Sequence, residues 1–290
     1  MDKETLFYMS VDTLEDLKPI GSIFDLSGKV AVVTGTLGLA LTVIYRLAEC
    51  GASVVFGARN QQVGAMVEKE MKERGLRAAF KQTDASKLED IHELIAFAEK
   101  TYDTVDLVVP IAAVWEARAF LDMEEETWDR ILDTDLKGQY FLCQAAARSM
   151  IRGGRGGKIV TISSVAYRAD DVAKMAMMTP YNAAKAGVVG MTKGMARELK
   201  QYGINVNCVA PGGMVTPGAM MNGVRTSKLY GPEYDKDLMK NGKETPVVAN
   251  PDEVALMIVA MCTDISNYMY GQVIDVDGGS QFSFQETPWA

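Results

Sequence analysis

The sequence predicts an α/β fold, a single domain in which a doubly wound parallel sheet carries helices on both faces. Short apolar runs typical of buried parallel strands recur at residues 29–34, 52–57, 78–82, 105–109, 158–162, 204–209 and 272–279. Segments suited to helices lie between these runs, and a glycine turn follows the first of them. No linker-like segment divides the 290 residues, so we expect an N-terminal arm at 1–25 and one domain at 26–290.

The composition limits the classes of partner. The chain carries a net charge of -8, which argues against binding to nucleic acid or to an anionic membrane surface. No apolar segment reaches the roughly 18 residues of a membrane-spanning helix, and the acidic first residues do not resemble the basic region of a secretory signal. We therefore expect a cytoplasmic protein that acts on a small molecule.

Cysteine and histidine usage narrows the chemistry further. The four cysteines are Cys50, Cys143, Cys208 and Cys262, and no pair has C-x-x-C spacing. This pattern predicts core thiols in a reducing compartment rather than disulfides or a metal site. The single histidine, His92, lies in a charged helical stretch and is predicted to be on the surface. With the single histidine expected on the surface, neither a Ser-His-Asp triad nor a histidine-based zinc site is expected.

The first strand is followed by a glycine turn that suits a phosphate group. Its residues are Gly35, Thr36, Leu37, Gly38, Leu39, Ala40 and Leu41, and a helix continues from it. Such a turn aims backbone N–H groups and the positive end of the helix at a pyrophosphate. Glycine also ends strands for structural reasons alone, but the place of this turn after the first strand favours a cofactor site.

Helix signals and one irregular segment complete the pattern. Ser86 is placed to cap the helix that follows the third strand, and a further helix is expected at 124–142. Asn250 and Pro251 suit the cap and the first turn of the last helix. Between about 217 and 245 the pattern loses periodicity and gains glycine, methionine and charge, which predicts an irregular lid over the substrate.

A serine, a tyrosine and a lysine form a candidate catalytic group. The strand at 158–162 ends beside Ser164, and a helix that begins near 179–180 would place Tyr181 and Lys185 one turn apart on the same face. A phenol titrates at about pH 10, and a neighbouring ammonium is expected to lower its pKa toward neutrality. The serine hydroxyl would hold the substrate oxygen while the phenol transfers a proton. Taken alone, Y-x-x-x-K is also the spacing of an ordinary solvated helix pair.

The residues around this group resemble the active-site stretch of the short-chain dehydrogenase/reductase family. The matching residues are Ser164, Tyr181, Asn182, Ala183, Ala184, Lys185, Ala186 and Gly187, and the likeness extends over about 26–279. The resemblance implies a Rossmann-type fold and an NAD(P)-dependent oxidoreductase that assembles as a dimer or tetramer. It also implies that Tyr181 transfers the proton, Ser164 orients the oxygen, and Lys185 tunes the tyrosine and binds the nicotinamide ribose.

The resemblance further implies where the cofactor binds. The implied residues are Gly35, Thr36, Gly38 and Leu39 in the glycine turn, Arg59, Asp84, Ala85 and Ala112 after the next three strands, Tyr181, Lys185, and Pro211, Gly212, Met214 and Thr216 after the sixth strand. Asp84 would accept a hydrogen bond from the adenine amine, and Thr216 would hold the nicotinamide carboxamide. Ala58 followed by Arg59 leaves room and positive charge for a 2′-phosphate, which favours NADP(H) and leaves NAD(H) open.

Three segments depart from the family's pattern. The glycine turn is one residue shorter than T-G-x-x-x-G-x-G, and Pro110-Ile111-Ala112-Ala113 stands where the family has N-N-A-G. Asp135 stands at the fourth catalytic position, the asparagine of N-L-x-G. Its backbone carbonyl would keep the family's water relay to Lys185, and its carboxylate would pair with Lys185 and raise the lysine pKa. A helix-kink residue without a chemical role is the alternative.

Methionines indicate the kind of substrate. Those near the expected site are Met175, Met177 and Met178 in the loop before the tyrosine, and Met214, Met220 and Met221 beside the expected lid. Flexible thioethers suit a bulky apolar ketone or alcohol such as a steroid, although core or subunit packing explains the same cluster. Lys174, Arg168 and Arg225 would suit a sugar acid or polyol instead. A non-catalytic dinucleotide-binding scaffold or sensor, and an epimerase or dehydratase, are the remaining alternatives.

Overall fold

The computed structural model describes residues 17–169, 177–231 and 248–280, and a sheet of seven parallel strands lies at its centre. The strands are β1 (Val30–Thr34), β2 (Ser53–Ala58), β3 (Ala78–Gln82), β4 (Leu107–Pro110), β5 (Gly157–Ile162), β6 (Ile204–Pro211) and β7 (Val273–Val276). Their order in the sheet is β3-β2-β1-β4-β5-β6-β7, and every neighbouring pair is parallel. All seven predicted strands are confirmed, with small shifts at their ends.

Helices connect the strands and cover both faces of the sheet. They are α1 (Leu39–Glu49), α2 (Gln61–Glu73), α3 (Leu88–Tyr102), α4 (Glu125–Leu132), α5 (Gln139–Gly153), α6 (Thr179–Leu199), α7 (Pro217–Tyr230) and α8 (Pro251–Cys262). Alternate residues of β1 pack on opposite faces of the sheet. Ala31 and Val33 belong to the core that includes α1 and α8. Val32 belongs to the core that includes α3 and α5. Both faces are therefore apolar, which confirms the doubly wound fold.

The strand order reverses at β1, and this reversal positions the site. β1 pairs with β2 on one side and with β4 on the other. The chain therefore leaves the carboxyl ends of β1 and β4 in opposite directions along the sheet. In open parallel sheets a crevice forms at such a point, outside the carboxyl ends of the strands.

The helix predicted at 124–142 is divided into parts. α4 ends at Leu132, a π-helical segment occupies Asp133–Gly138, and α5 follows directly. Gly138 permits a close approach to the turn after β3, because a Cβ at this position would lie 2.1 Å from the carbonyl oxygen of Ala85. The middle of the π-helical segment carries Asp135, whose side chain is fully buried. Single π-helical turns often mark functional sites.

The expectation that the lid segment is irregular is wrong for the part of it that the structure describes, and its role as a lid stays a prediction. The expected irregular segment begins instead with a regular helix, α7, while residues 232–247 lie outside the described residues. Pro217 suits the first position of this helix. The hydroxyl of Thr216 stabilises the same end, because its Oγ1 accepts a hydrogen bond from the N–H of Ala219 at 3.2 Å.

The predicted helix caps have mixed outcomes. Asn250 caps α8 as expected, since its Oδ1 accepts from the N–H of Asp252 at 3.0 Å and its own N–H donates to Glu253 at 2.8 Å. Ser86 does not cap α3. Lys87 is the residue at the N-cap, and the hydroxyl of Ser86 donates to Asp84 instead.

The remaining expectations of the sequence concern the surface, the thiols and the arm. His92 is exposed as predicted, and Cys143, Cys208 and Cys262 are buried free thiols, while Cys50 is half-buried. Of the predicted N-terminal arm, residues 1–16 lie outside the described residues. Over residues 17–169, 177–231 and 248–280, no helix is both long and apolar enough to cross a membrane.

Candidate active site

A cleft of about 610 Å³ opens at the carboxyl ends of the strands. It contains every residue that the sequence predicts for the site except Asp135, which is buried beside Lys185. The predicted residues that line it are Gly35, Thr36, Gly38, Leu39, Arg59, Asp84, Ala85, Ala112, Ser164, Tyr181, Lys185, Pro211, Gly212, Met214 and Thr216. The fold thus brings together residues that lie far apart in the chain.

The glycine turn forms a cradle at one side of the cleft. Gly35 and Gly38 have φ values of 104° and 56°, which side-chain-bearing residues rarely adopt. A Cβ on Gly35 would lie 2.8 Å from the Cβ of Ala40, and one on Gly38 would lie 3.0 Å from the side chain of Thr216. The missing side chains thus allow Ala40 and Thr216 to pack closely against the turn, and helix α1 begins at Leu39, where the turn lines the cleft. This arrangement suits a phosphate group despite the shorter turn.

Helix α6 carries the tyrosine and the lysine into the cleft beside the end of β5. The Nζ of Lys185 lies 5.3 Å from the ring centroid of Tyr181 and donates a hydrogen bond to the carbonyl oxygen of Ile162 at 3.2 Å. The hydroxyl of Ser163 donates to the carbonyl oxygen of Lys185 at 2.9 Å, which ties α6 to the strand end. The Oγ of Ser164 accepts from the N–H of Ala166 at 3.2 Å, and its hydroxyl also makes a hydrogen bond with the phenol of Tyr181.

The expectation that Lys185 lowers the pKa of Tyr181 below its ordinary value is wrong for this structure. Burial of the phenol raises its pKa, and this effect outweighs the lowering by the Lys185 ammonium and by a hydrogen bond with Ser164. The negative charge of Asp135 raises the tyrosine pKa further. The phenol is therefore the stable form at neutral pH, which suits a proton donor.

Asp135 makes the pair with Lys185 that the sequence predicts. Its Oδ1 accepts from the N–H of Val114 at 2.7 Å, and its Oδ2 lies 3.4 Å from the Nζ of Lys185. Burial raises the pKa of Asp135 to about 6, although the lysine and the N–H of Val114 oppose the rise. Burial alone would lower the pKa of Lys185, but Asp135 and Tyr181 together raise it. Both partners are therefore charged at neutral pH.

The other end of the cleft carries an arginine and an aspartate. Arg59 follows β2 and is exposed, and its carbonyl oxygen accepts from Gln82 at 3.0 Å. The Oδ1 of Asp84 accepts from the N–H of Ser86 at 3.1 Å and from its hydroxyl at 2.8 Å. Partial burial raises the pKa of Asp84, but these hydrogen bonds and the charge of Arg59 outweigh it and lower the pKa. The cleft thus places one positive and one negative side chain near each other.

Several residues that line the cleft were not predicted from the sequence. Val114 and Trp115 follow β4, and Arg130 and Thr134 reach the cleft from α4 and the π-helical segment. A single aromatic residue after a strand has no periodic neighbour, so only its place after the fourth strand could have indicated it. Helix α7 was also missed as an element, and it presents one face to the cleft through Gly218, Met221, Asn222 and Arg225.

The residues present fit a nicotinamide dinucleotide. The glycine turn lines the cleft at the N-terminus of α1, a place suited to a pyrophosphate, and the cleft extends from the side chains after β2 and β3 to the catalytic group on α6. Within the described ranges, no three His, Cys, Asp or Glu side chains gather as metal ligands. The side chains beside the space for the cofactor can transfer a proton.

Comparisons with known proteins place the chain in a family. A family model described as enoyl-(acyl carrier protein) reductase matches residues 33–281. The bovine (Bos taurus) dehydrogenase/reductase SDR family member 4 is 32% identical over 257 residues, which cover 88% of each chain. The 3-oxoacyl-[acyl-carrier-protein] reductase of Chlamydia muridarum is 32% identical over 260 residues, which cover 88% of this chain and 98% of the relative.

A solved structure agrees with these matches. The gluconate 5-dehydrogenase from Burkholderia cenocepacia, determined in complex with NADP and tartrate, superposes with a TM-score of 0.78 at 27% identity and covers 91% of this chain and 99% of that one. The match extends over the whole sheet and its helices rather than over one motif. The chain therefore belongs to the short-chain dehydrogenase/reductase family of NAD(P)-dependent oxidoreductases.

Proposed function

We propose that the protein transfers a hydride between NADP(H) and a ketone or secondary alcohol, with Tyr181 as the proton donor. One observation carries this proposal: Ser164, Tyr181 and Lys185 meet in a cleft that also contains a glycine cradle at a helix N-terminus. When bound, the nicotinamide supplies or accepts the hydride. The protein has to supply the matching proton, and the buried phenol holds one at neutral pH.

Each of the three side chains has a separate role in proton transfer. The hydroxyl of Ser164 donates a hydrogen bond to the substrate oxygen and fixes its position. The O–H bond of Tyr181 breaks, and the phenol proton passes to the same oxygen. Lys185 stabilises the phenolate that remains, because its ammonium lies beside the ring. The family resemblance implies that a water held by the backbone carbonyl of Asp135 supplies, by way of Lys185, the proton that restores the phenol of Tyr181.

Arg59 supports NADP(H) over NAD(H). Its side chain is exposed at the end of the cleft that follows β2, where a dinucleotide fold places the adenosine ribose. The neighbouring Ala58 has no carboxylate that would repel a 2′-phosphate. The guanidinium suits such a phosphate because it offers paired donors and a permanent positive charge. The solved relative from Burkholderia cenocepacia also carries NADP.

A bulky, mainly apolar ketone such as a steroid is the proposed substrate class. Trp115, Met214 and Met221 line the cleft, and thioethers and an indole ring adapt to large apolar surfaces. Of the other methionines, Met178 is buried in packing, Met220 does not line the cleft, and Met175 lies outside the described residues. The chlamydial relative is named for a 3-oxoacyl substrate, which is also a ketone on an apolar chain.

A sugar acid or polyol is the second candidate substrate class. Arg225 lies on the face of α7 that lines the cleft, and its guanidinium would pair with a carboxylate. The relative from Burkholderia cenocepacia is named as a gluconate dehydrogenase and was determined with tartrate. The two candidates differ in which part of the substrate α7 recognises, its apolar body through Met221 or its charge through Arg225.

The test is a screen of ketones and alcohols with NADPH and NADP⁺, followed by the near-ultraviolet absorbance of the nicotinamide. Steroids, 3-oxoacyl thioesters and sugar acids form the panel. With any substrate found, Tyr181→Phe is expected to reduce kcat by about a hundredfold or more, because the general acid is lost. Tyr202→Phe, at an exposed tyrosine outside the cleft, is the control and should leave kcat unchanged.

Three results would contradict the proposal. Full activity in Tyr181→Phe would remove the assigned proton donor. Tight binding of NADPH without turnover of any member of the panel would favour the scaffold or sensor, whereas net conversion without consumption of the cofactor would favour an epimerase or dehydratase.

We also propose that the protein forms a dimer or tetramer in the cytoplasm. Tyr140 and Ile151 on α5 are exposed apolar side chains, which suits contact with a second copy. The four cysteines are free thiols, which suits a reducing compartment. Multi-angle light scattering of the purified protein measures the mass, and a monomer would contradict the proposed assembly.

A further inference from the structure

Position 135 lies between two hydrogen-bond donors in the protein interior. The N–H of Val114 reaches Oδ1 of Asp135 at 2.7 Å, and the ammonium of Lys185 lies 3.4 Å from Oδ2. The side chain of Asp135 has no solvent exposure and that of Lys185 has 1%. Oδ2 accepts no hydrogen bond from any described residue, so the nearby ammonium is what balances its charge.

A carboxylate suits this position better than the amide that the family's motif carries. An ionised carboxylate only accepts hydrogen bonds, so both of its oxygens can face donors. The amide of an asparagine has one oxygen and one NH₂ group. If its oxygen faced the N–H of Val114, its NH₂ group would face the ammonium of Lys185. The site is therefore built around a negative charge at Asp135.

Lys185 is the main partner of that negative charge, and the phenol of Tyr181 lies close enough to be affected by it. Lys185 and Tyr181 face it from α6, and Arg130 acts on it from α4. Lys185 also faces the thiol of Cys208 on β6, and the tyrosine faces the hydroxyl of Ser164. The carboxylate thus offsets much of the positive charge that the lysine would otherwise present to the phenol.

We propose that Asp135 is a positioning residue that pairs with Lys185 and thereby weakens the stabilisation that the ammonium gives to the phenolate of Tyr181, so that the site is set for carbonyl reduction. The second half of this statement rests on the proposed function. In reduction, hydride reaches the carbonyl carbon while the phenol O–H breaks and its proton passes to the oxygen. In oxidation, a phenolate must first accept the alcohol proton, so this direction needs a higher pH. The equilibrium of the reaction is unchanged, and only the pH at which each direction runs is affected.

The direct test needs neither cofactor nor substrate. A phenolate absorbs at longer ultraviolet wavelengths than a phenol, and the chain has 11 tyrosines, so Tyr181 is isolated by subtracting the titration of Tyr181→Phe. The same subtraction is made in the Asp135→Asn background. We expect the phenolate midpoint of Tyr181 to fall by about one pH unit in Asp135→Asn, the effect of removing one nearby negative charge.

A matched control comes from the same π-helical segment. Asp133 lies two residues earlier, is 42% exposed and pairs with Lys137 at 3.0 Å. Asp133→Asn removes the same charge without touching the lysine of the site, so the midpoint of Tyr181 should stay where it is. If Asp135→Asn does not fold, Asp135→Ser carries the same expectation, because the smaller side chain leaves space for water beside Lys185. An unchanged or higher midpoint in the folded variant would overturn the inference.

A kinetic test separates the inference from the proposed function. In Asp135→Asn the acid limb of the pH–rate profile for alcohol oxidation should move to lower pH by about the spectroscopic shift. A spectroscopic shift in a protein that oxidises no alcohol would leave the pairing intact and remove the proposed function. A spectroscopic shift with an unmoved kinetic limb would overturn the claim that Asp135 sets the pH of the reaction.

Discussion

Single side chains after β5 and on α6 determine the chemistry of this cleft, and they were the most predictable part of it. Ser164, Tyr181 and Lys185 were predicted because the residues around them resemble the family's active-site stretch, whereas their spacing alone also fits an ordinary helix pair, and the structure brings them together in the cleft. The pKa of Tyr181 was not predictable in the same way. Burial outweighs the effect of the lysine, and the extent of burial depends on the packing of segments remote in the chain.

Arg59 gives the prediction that belongs to the residue scale. Arg59→Ala is expected to raise KM for NADPH by about tenfold to a hundredfold and to leave KM for NADH nearly unchanged. The reason is that a charge-assisted hydrogen bond to phosphate contributes roughly 1.5–3 kcal/mol, and NADH has no 2′-phosphate. Steady-state kinetics with both cofactors measures the two values.

Arg77→Ala is the control for that comparison. Arg77 stacks on Tyr102 at 5.3 Å and does not line the cleft, so its loss should change neither KM. Equal losses of affinity for NADPH and NADH in Arg59→Ala would show that this side chain does not select the cofactor. Arg59 would then no longer favour NADP(H) over NAD(H).

At the scale of elements, hydrophobic pattern predicted the strands better than the helices near the cleft. Buried strands such as β1 and β6 are continuous apolar runs, so their signal is local. Helix α7 was hidden because its glycines and exposed methionines blur helical periodicity. The π-helical segment Asp133–Gly138 was hidden because it depends on the close approach of Gly138 to Ala85, which is a contact between distant segments.

The cap of α8 supplies a prediction at this scale. Asn250→Ala is expected to lower the free energy of unfolding by about 1 kcal/mol, because the N–H of Asp252 loses its acceptor at the start of the helix. Glu253→Gln, which keeps an acceptor for the N–H of Asn250, should cost clearly less. Chemical denaturation measures both values. A loss in Glu253→Gln as large as that in Asn250→Ala would mean that charge, rather than the cap, stabilises this helix end.

At the scale of the whole molecule, the doubly wound fold was predicted from the sequence, but the burial of the paired charges was not. Parallel strands joined by helices favour a doubly wound sheet, and the observed strand order places the crevice at its reversal. The sequence indicated that Asp135 and Lys185 would pair. It did not indicate that both would be buried almost completely, and that burial connects the active site to the stability of the whole domain.

The pH dependence of unfolding tests this connection. The pKa of Asp135 is about 6 in the folded protein and about 3.8 without the fold. Between these values the folded protein holds a proton that the unfolded chain releases, so this group favours folding more as the pH falls from about 6 toward 3.8. Lys185 is charged in both states over this range and adds no slope. The free energy of unfolding of the wild type, minus that of Asp135→Asn, should therefore rise by up to about 3 kcal/mol between neutral pH and pH about 4. Denaturation of both proteins at a series of pH values measures the difference. A flat difference would show that Asp135 titrates as a solvated carboxyl does, and a falling difference would show that its pKa is lowered in the folded protein.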